Sequence, residues 1–414
     1  MKKYLLLLTL LFTIVLNAGV LYVLNSSSET LSRIDLETGE VDNAFASLGS
    51  MPNRFVCTND HIYVVNSGDN SIQKIDAATG QTLLNIFLET SSNPYDLTIC
   101  DDYLYVTGGL TNQVYKIDLM TDELVDQIAV GVNPAGLTAM NGKLYVGNTN
   151  YMGNYSACSI SVIDLDEFIV INTIPTAANP QYLLSDENYL HISCTGNWSD
   201  VMGSIQIMEL SSYEIIHTIS MDGYCFDMTK TTDGIIYVGD AMNSAVYAYD
   251  AASWDVIYDP ASPFTPGGSV VEANSENLVI LGGEWGQNFT VNVYDTSENY
   301  IAGYQVGLYG TDMKFQPEAT PINDNDIITT THVSVYPNPF SSQITFSVPD
   351  TRSEIMSITI YDIKGRVIKE FISAETPTWD GRNHNGQSMP SGIYFSRLLT
   401  ADKKIYNTKI LKMN

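Results

Sequence analysis

Positive charge is scarce in this sequence. Its 414 residues hold 19 Lys and Arg against 47 Asp and Glu, a formal net charge of −28 and a pI near 4.2. Phosphate binding needs clustered Lys and Arg, so nucleic acid is excluded as a partner. Electrostatic docking on anionic lipid is excluded on the same ground. Histidine is scarcer still: His61, His191, His217, His332 and His384 show no metal-ligand spacing such as i and i+4. The cysteines are Cys57, Cys100, Cys158, Cys194 and Cys225, an odd number with no C-x-x-C pair. At least one therefore lacks an intrachain partner, and they read as small buried hydrophobes, without support for zinc or thiol catalysis. No G-x-S-x-G elbow, P-loop or dinucleotide fingerprint occurs in a fitting context. No catalytic residue, metal ligand or cofactor is assigned on this basis. Long apolar runs are missing after the first residues, so no transmembrane segment is expected.

The N-terminus reads Met1-Lys2-Lys3, then apolar from Leu5 to Leu16, then Asn17-Ala18-Gly19. A basic start, about a dozen apolar residues and a small residue at the end predict a secretory signal peptide over residues 1–18. With 44% hydrophobic residues and a mean hydropathy of −0.01, the remainder is a folded chain, long enough for two or three domains.

Internal repetition dominates the chain beyond that leader. An apolar-aromatic-apolar triplet recurs as Leu21-Tyr22-Val23, Ile62-Tyr63-Val64, Leu104-Tyr105-Val106 and Leu144-Tyr145-Val146. It continues, degraded, as Leu190-His191-Ile192, Ile236-Tyr237-Val238 and Leu278-Val279-Ile280. Successive centres stand 41, 42, 40, 46, 46 and 42 residues apart. A second marker keeps step, an acid closing an alternating stretch at Asp35, Asp76, Asp118, Asp164, Glu209, Asp250 and Asp295. Each unit holds four short stretches of period two separated by Gly, Asn and Asp, the pattern of antiparallel strands. Four strands per repeat, seven times over, predict an all-β fold: a seven-bladed β-propeller over residues 19–317. The first unit lacks its innermost strand, which the stretch from Asp312 to Phe315 is expected to supply, closing the ring and hiding its edges. The repeated Asp reads as a turn residue that accepts backbone N–H bonds, not as a metal ring.

Four of these strands give Tyr22-Val23-Leu24-Asn25, Tyr63-Val64-Val65-Asn66, Tyr105-Val106-Thr107-Gly108 and Tyr145-Val146-Gly147-Asn148. With Ile34-Asp35 to Thr38-Gly39, Ile75-Asp76 to Thr79-Gly80, and Asn-Pro at 93–94, 133–134 and 179–180, they resemble the YVTN family of seven-bladed propellers. That family has no single function, so the resemblance implies a fold and leaves the activity open.

Residues 318–332 carry Pro, Asn, Asp and Thr without periodicity and read as a linker. From residue 333 the composition changes. Residues 333–414 hold ten Lys and Arg against seven Asp and Glu, whereas residues 19–332 stand at 7 − 40 = −33. Short alternating runs in this tail predict a small immunoglobulin-like β-sandwich. Its motifs are Tyr336-Pro337-Asn338-Pro339-Phe340, Asp362-Ile363-Lys364-Gly365-Arg366, Trp379-Asp380-Gly381-Arg382, Asn385-Gly386-Gln387 and Gly392-Ile393-Tyr394-Phe395. In this order they resemble the type A C-terminal sorting domain of the type IX secretion system. The resemblance implies recognition by that machinery and delivery, through the periplasm, outside a Gram-negative cell or onto its surface.

Candidate binding residues come from long loops that the repeat places at one end of the sheets: Tyr151 and Tyr155 (residues 148–158), Trp198 (195–203) and Trp285 (282–289). Aromatics in polar, Gly-rich loops predict exposed stacking surface for a glycan, peptide or protein. The leading expectation is a recognition or scaffold module. The alternative is an exported hydrolase or lyase with a metal near the central channel.

Overall fold

The computed structural model describes residues 19–317, 334–347, 355–362, 366–372, 378–384, 386–400 and 405–413. The expected signal peptide, the linker and Gly365 lie outside these residues. The chain divides into two compact units, Met1–Ala319 and Thr320–Asn414.

The described part of the first unit consists of seven four-stranded antiparallel sheets. In the second sheet the strands Pro52–Cys57, His61–Asn66, Ser71–Asp76 and Thr82–Phe87 follow one another in space as in sequence. The second strand of each sheet is apolar on consecutive residues because both its faces are covered. The fourth alternates between cover and solvent, as the patterns of Ile62 to Asn66 and Thr82 to Phe87 show. The first sheet alone departs from chain order. Its innermost strand, Gly310–Phe315, pairs antiparallel with Val20–Asn25, Leu21 opposite Phe315 and Val23 opposite Met313.

Core packing follows the same order. Phe55, Ile62 and Val64 of the second sheet pack with Tyr22, Leu24 and Leu31 of the first. Comparable clusters fill each successive gap to the seventh sheet. Val270, Val279 and Leu281 of the seventh sheet then pack with Leu21, Ile34 and Met313 of the first. Each fully buried Val, Leu or Ile contributes ~1.5–3 kcal/mol, so the gaps between sheets are the main source of stability. The innermost strands also neighbour one another in cyclic order, and Gly310–Phe315 lies beside both Val270–Ala273 and Pro52–Cys57.

The repeated acids act as turn residues. Asp76 Oδ1 accepts from the N–H of Ala78 at 3.2 Å and of Thr79 at 2.8 Å, and Asp118, Asp164 and Asp250 do the same in their own turns. The cysteines are free thiols: Cys158, Cys194 and Cys225 are buried, whereas Cys57 and Cys100 are only half-buried. Burial pushes the Cys57 thiol up to about 12, which leaves it unreactive at neutral pH.

In the second unit a three-stranded sheet contains Ser334–Tyr336, Ile344–Ser347 and Thr378–Trp379. A four-stranded sheet contains Val367–Ile372, Ile355–Asp362, Gly392–Thr400 and Ile405–Lys412. Phe340, Ile344, Phe346, Ile358, Trp379 and Tyr394 belong to its core. No helix among the described residues is long and apolar enough to cross a membrane.

Candidate functional site

Antiparallel sheets alternate their loops between two ends. The loop after each second strand lies at the end where the next sheet begins, and backbone hydrogen bonds tie it to the entry of its own sheet. Thr149 N–H donates to Asn133 O at 3.0 Å, Thr195 N–H to Asn179 O at 2.9 Å and Gly109 N–H to Asn93 O at 3.1 Å. Each acceptor is the Asn of an Asn-Pro pair and has positive φ, from 43° at Asn93 to 61° at Asn179, a conformation Asn tolerates better than most residues. Between sheets, Asn93 N–H donates to Asn70 Oδ1 at 3.0 Å and Asn133 N–H to Asn112 Oδ1 at 2.8 Å, so the Asn-Pro entries join neighbouring loops of this end into one rim.

The rim carries the aromatic residues expected from sequence. Tyr151 opens a single 3₁₀ turn, Tyr151–Gly153, and is 42% exposed. In the next sheet Trp198 is 39% exposed and takes φ 61°. Its loop is held by Asn197, whose Oδ1 accepts from the N–H of Ser199, Asp200 and Val201 at 2.9–3.1 Å. Burial raises the Tyr155 phenol above its ordinary value, against a smaller opposing pull from Trp198, its neighbour from the loop of the fifth sheet.

Sequence reasoning missed the partner of Trp198. Its ring stacks on Tyr224, from the segment leading into the sixth sheet, with centroids 5.4 Å apart and planes 12° apart. Tyr224 is fixed in turn by Asp240, a fully buried carboxylate. Asp240 accepts from Tyr224 N–H at 2.9 Å, Asn243 N–H at 2.7 Å and the Tyr247 hydroxyl at 2.6 Å. Trp198 and Tyr224 thus form a flat apolar pair on a rigid polar base. Trp285 belongs to a separate group. At 78% exposed it packs edge-on to Tyr309, centroids 4.6 Å apart, and Tyr309 also meets Phe289.

A second constellation, also missed, lies where the innermost strands converge. Register shifts near the start of several of these strands, as between Pro52 and Phe55 or Pro94 and Leu97, take residues such as Arg54 and Asp96 out of the ladder. The Arg54 guanidinium lies 3.2 Å from Asp312 and 3.6 Å from Asp227, and 4.2 Å over the Tyr182 ring. Beside it Lys314 pairs with Glu272 at 2.7 Å and approaches Asp312 at 3.6 Å. Burial pushes Asp96 up to about 6 against the pull of Arg54, and raises Asp227 and Glu272 as well. The charge at the centre of the first unit is therefore organised around a guanidinium. Among the described residues, no group of three or more His, Cys, Asp or Glu is placed to hold a metal ion.

In the second unit most of the motif residues build its structure. Trp379 is fully buried, donates to Arg382 O at 2.8 Å and packs edge-on to Tyr394. Tyr394 donates to Pro390 O at 2.7 Å. Asp362 accepts from the Arg366 backbone N–H at 3.0 Å and pairs with its guanidinium at 2.6 Å. Asp380 caps Arg382 N–H at 3.1 Å, Gly381 takes φ 71°, and Gly392 opens the strand that holds Tyr394. Asn338 bridges to the last strand, donating to Lys409 O and accepting from Leu411 N–H. Pro337, Asn338 and Pro339 remain exposed beside Tyr336.

Comparison with known proteins supports this division. Residues 334–413 match the secretion system C-terminal sorting domain. That match marks the chain for export through a secretion machine, and it is decided by the tail alone. Residues 49–182 match a repeat of unknown function. No curated protein matches the sequence. The fold is similar to hydrazine synthase of Kuenenia stuttgartiensis at 16% identity and a TM-score of 0.55, covering 68% of this chain and 94% of that one. It is also similar to a functionally unknown protein from Desulfotomaculum acetoxidans, at 14% identity and a TM-score of 0.56, over 72% of this chain and 100% of that one. At these identities the likeness concerns fold alone: repeated four-stranded sheets in a propeller-like arrangement.

Proposed function

We propose that the protein is an exported or cell-surface recognition or scaffold module. In this reading residues 19–317 form a seven-bladed propeller of YVTN-like repeats, preceded by a signal peptide. Residues 333–414 form an immunoglobulin-like sandwich read by the type IX secretion machinery, which delivers the chain through the periplasm to the outside of a Gram-negative cell. The propeller's partner is a surface glycan, peptide or protein, gripped at the rim by Tyr151, Tyr155 and Trp198, with Trp285 as a separate contact.

The observation that carries the reading is the Trp198–Tyr224 pair. A stacked aromatic pair on a buried carboxylate base gives apolar contact area at little entropic cost on binding. The hydrolase or lyase reading needs a metal near the axis, and the axial carboxylates Asp227, Asp312 and Glu272 instead face Arg54 and Lys314.

The test is a binding screen of the full chain against immobilised glycans, peptides and surface proteins, repeated with a Trp198→Ala, Tyr224→Ala double variant. At least one partner is expected to bind the parent and to lose tenfold or more with the variant. A partner bound equally by both, or none on any panel, refutes the reading.

A further inference from the structure

The two ends of the first unit differ in kind. Apart from the outermost strands, its exposed large apolar side chains lie almost wholly at the rim, and Met120 alone lies at the opposite end. Met51, Leu110, Met152, Trp198, Met242 and Trp285 come one from each of the second to seventh sheets or the loop leading into it. The opposite end carries the repeated turn acids. Methionine and aromatic side chains are the residue types enriched in protein contact surfaces, Met because it adapts to irregular shapes.

Charge narrows the partner. No Lys, Arg or His occurs in the loops after the second strands, nor in those joining one sheet to the next. Asp69, Asp200, Asp222 and Glu284 do occur there and are exposed. The seven Lys and Arg of residues 19–317 cannot offset them, because each already has an internal contact. Arg33, Arg54, Lys74, Lys143, Lys230 and Lys314 pair with carboxylates, and Lys116 lies 4.0 Å over the Tyr103 ring. The rim is thus apolar and uniformly negative. A second copy of the same rim would bring like charges together, and an acidic polysaccharide would be repelled.

We infer that the rim docks a protein segment that combines apolar or aromatic side chains with Lys or Arg, laid across the loops of successive sheets. This rests on the recognition reading above and names its partner class. The apolar side chains stand one to three to a loop, with Ser, Asn and Gly between the groups, which suits the spaced side chains of one segment. The acids between them meet its cations and set its selectivity.

The experiment is selection of a displayed library of random 15-residue peptides on the immobilised full chain, with a glycan array probed by the same preparation. Recovered peptides are expected to be enriched in Lys or Arg together with Trp, Leu or Phe. They should bind at least tenfold more weakly to the Trp198→Ala, Tyr224→Ala variant, and severalfold more weakly to an Asp222→Lys, Glu284→Lys variant. Met120→Ala, at the opposite end, should leave their affinity unchanged. Unaltered thermal unfolding of each variant separates lost contacts from lost fold. Enrichment of acidic or uncharged peptides, or indifference to the charge reversals, overturns the inference. A glycan hit lost with Trp198→Ala and no peptide enrichment overturns it while sustaining the recognition reading. Silence on both panels removes both.

Discussion

Arg54 Nη1 lies 3.2 Å from Asp312 Oδ1, a contact between residues 258 positions apart. Asp312 belongs to the strand that completes the first sheet, and its Oδ2 also accepts from Phe55 N–H at 3.0 Å. One carboxylate therefore fastens the end of the repeat region to the second sheet, while Asp227 extends the contact to the sixth. Both partners are buried, so neither charge can be solvated if the other is lost.

Arg54→Met is accordingly expected to destabilise the first unit by ~3–5 kcal/mol, because it leaves buried carboxylates uncompensated. Asp312→Asn should cost less, since Asp227 still faces the guanidinium. Denaturant unfolding of both variants checks the order. Equal, small effects would show that the axial pair contributes little.

Asp96 gives the axial cluster a pH signature. Burial holds its carboxyl at about 6 when folded, against 3.8 for the ordinary group, so the folded state binds the proton more tightly. Stability from this group rises as pH falls through 6 towards 4 and is flat above about 7. Relative to Asp96→Asn, the parent should gain ~2 kcal/mol between pH 7 and pH 4, at about 1.36 kcal/mol per pK unit. Parallel stability profiles for the two proteins would contradict this assignment.

Asp240 holds Tyr224 and the adjacent 241–243 turn together. Asp240→Ala leaves those N–H groups and the Tyr247 hydroxyl unmatched and should cost ~1–3 kcal/mol. It should also weaken partner binding, although Asp240 is buried beneath the rim. Full retention of both properties would separate the Trp198–Tyr224 pair from its base.

Trp379→Ala should cost the second unit ~3–5 kcal/mol, through a large core void and a lost N–H bond. In a secreting host the same variant should accumulate inside the cell. Asn338→Ala tests the exposed Pro337-Asn338-Pro339 turn instead, and export should fall more than stability does. Normal export of both would contradict a sorting role for the tail.

The repeat was legible because a strand covered on both faces must be apolar on successive residues, which gives Ile62-Tyr63-Val64 and its counterparts a fixed signature. The turn acids were legible because their partners lie two and three residues away. The axial cluster was not, because Arg54, Asp227 and Asp312 are brought together only by the closed arrangement of sheets. Its trace was an acid following another residue near the start of the innermost strand, in Tyr95-Asp96, Phe226-Asp227 and Thr311-Asp312. At the rim the exposed aromatics were legible as ring-bearing residues in polar loops. Their partners were not, since Trp198 stacks on Tyr224 of the next sheet and Trp285 packs edge-on to Tyr309 across the closing seam.

The most direct test of rim recognition is tryptophan quenching by acrylamide in the full chain, with and without a bound partner from the screens. Of the four tryptophans, Trp198 and Trp285 are exposed, whereas Trp379 is fully buried and Trp254 is partly covered against His217. The account predicts that the partner protects a fraction of the emission and that a Trp198→Phe, Trp285→Phe double variant removes that protection. Quenching unchanged by a bound partner, or protection that survives the double substitution, would place recognition elsewhere on the molecule.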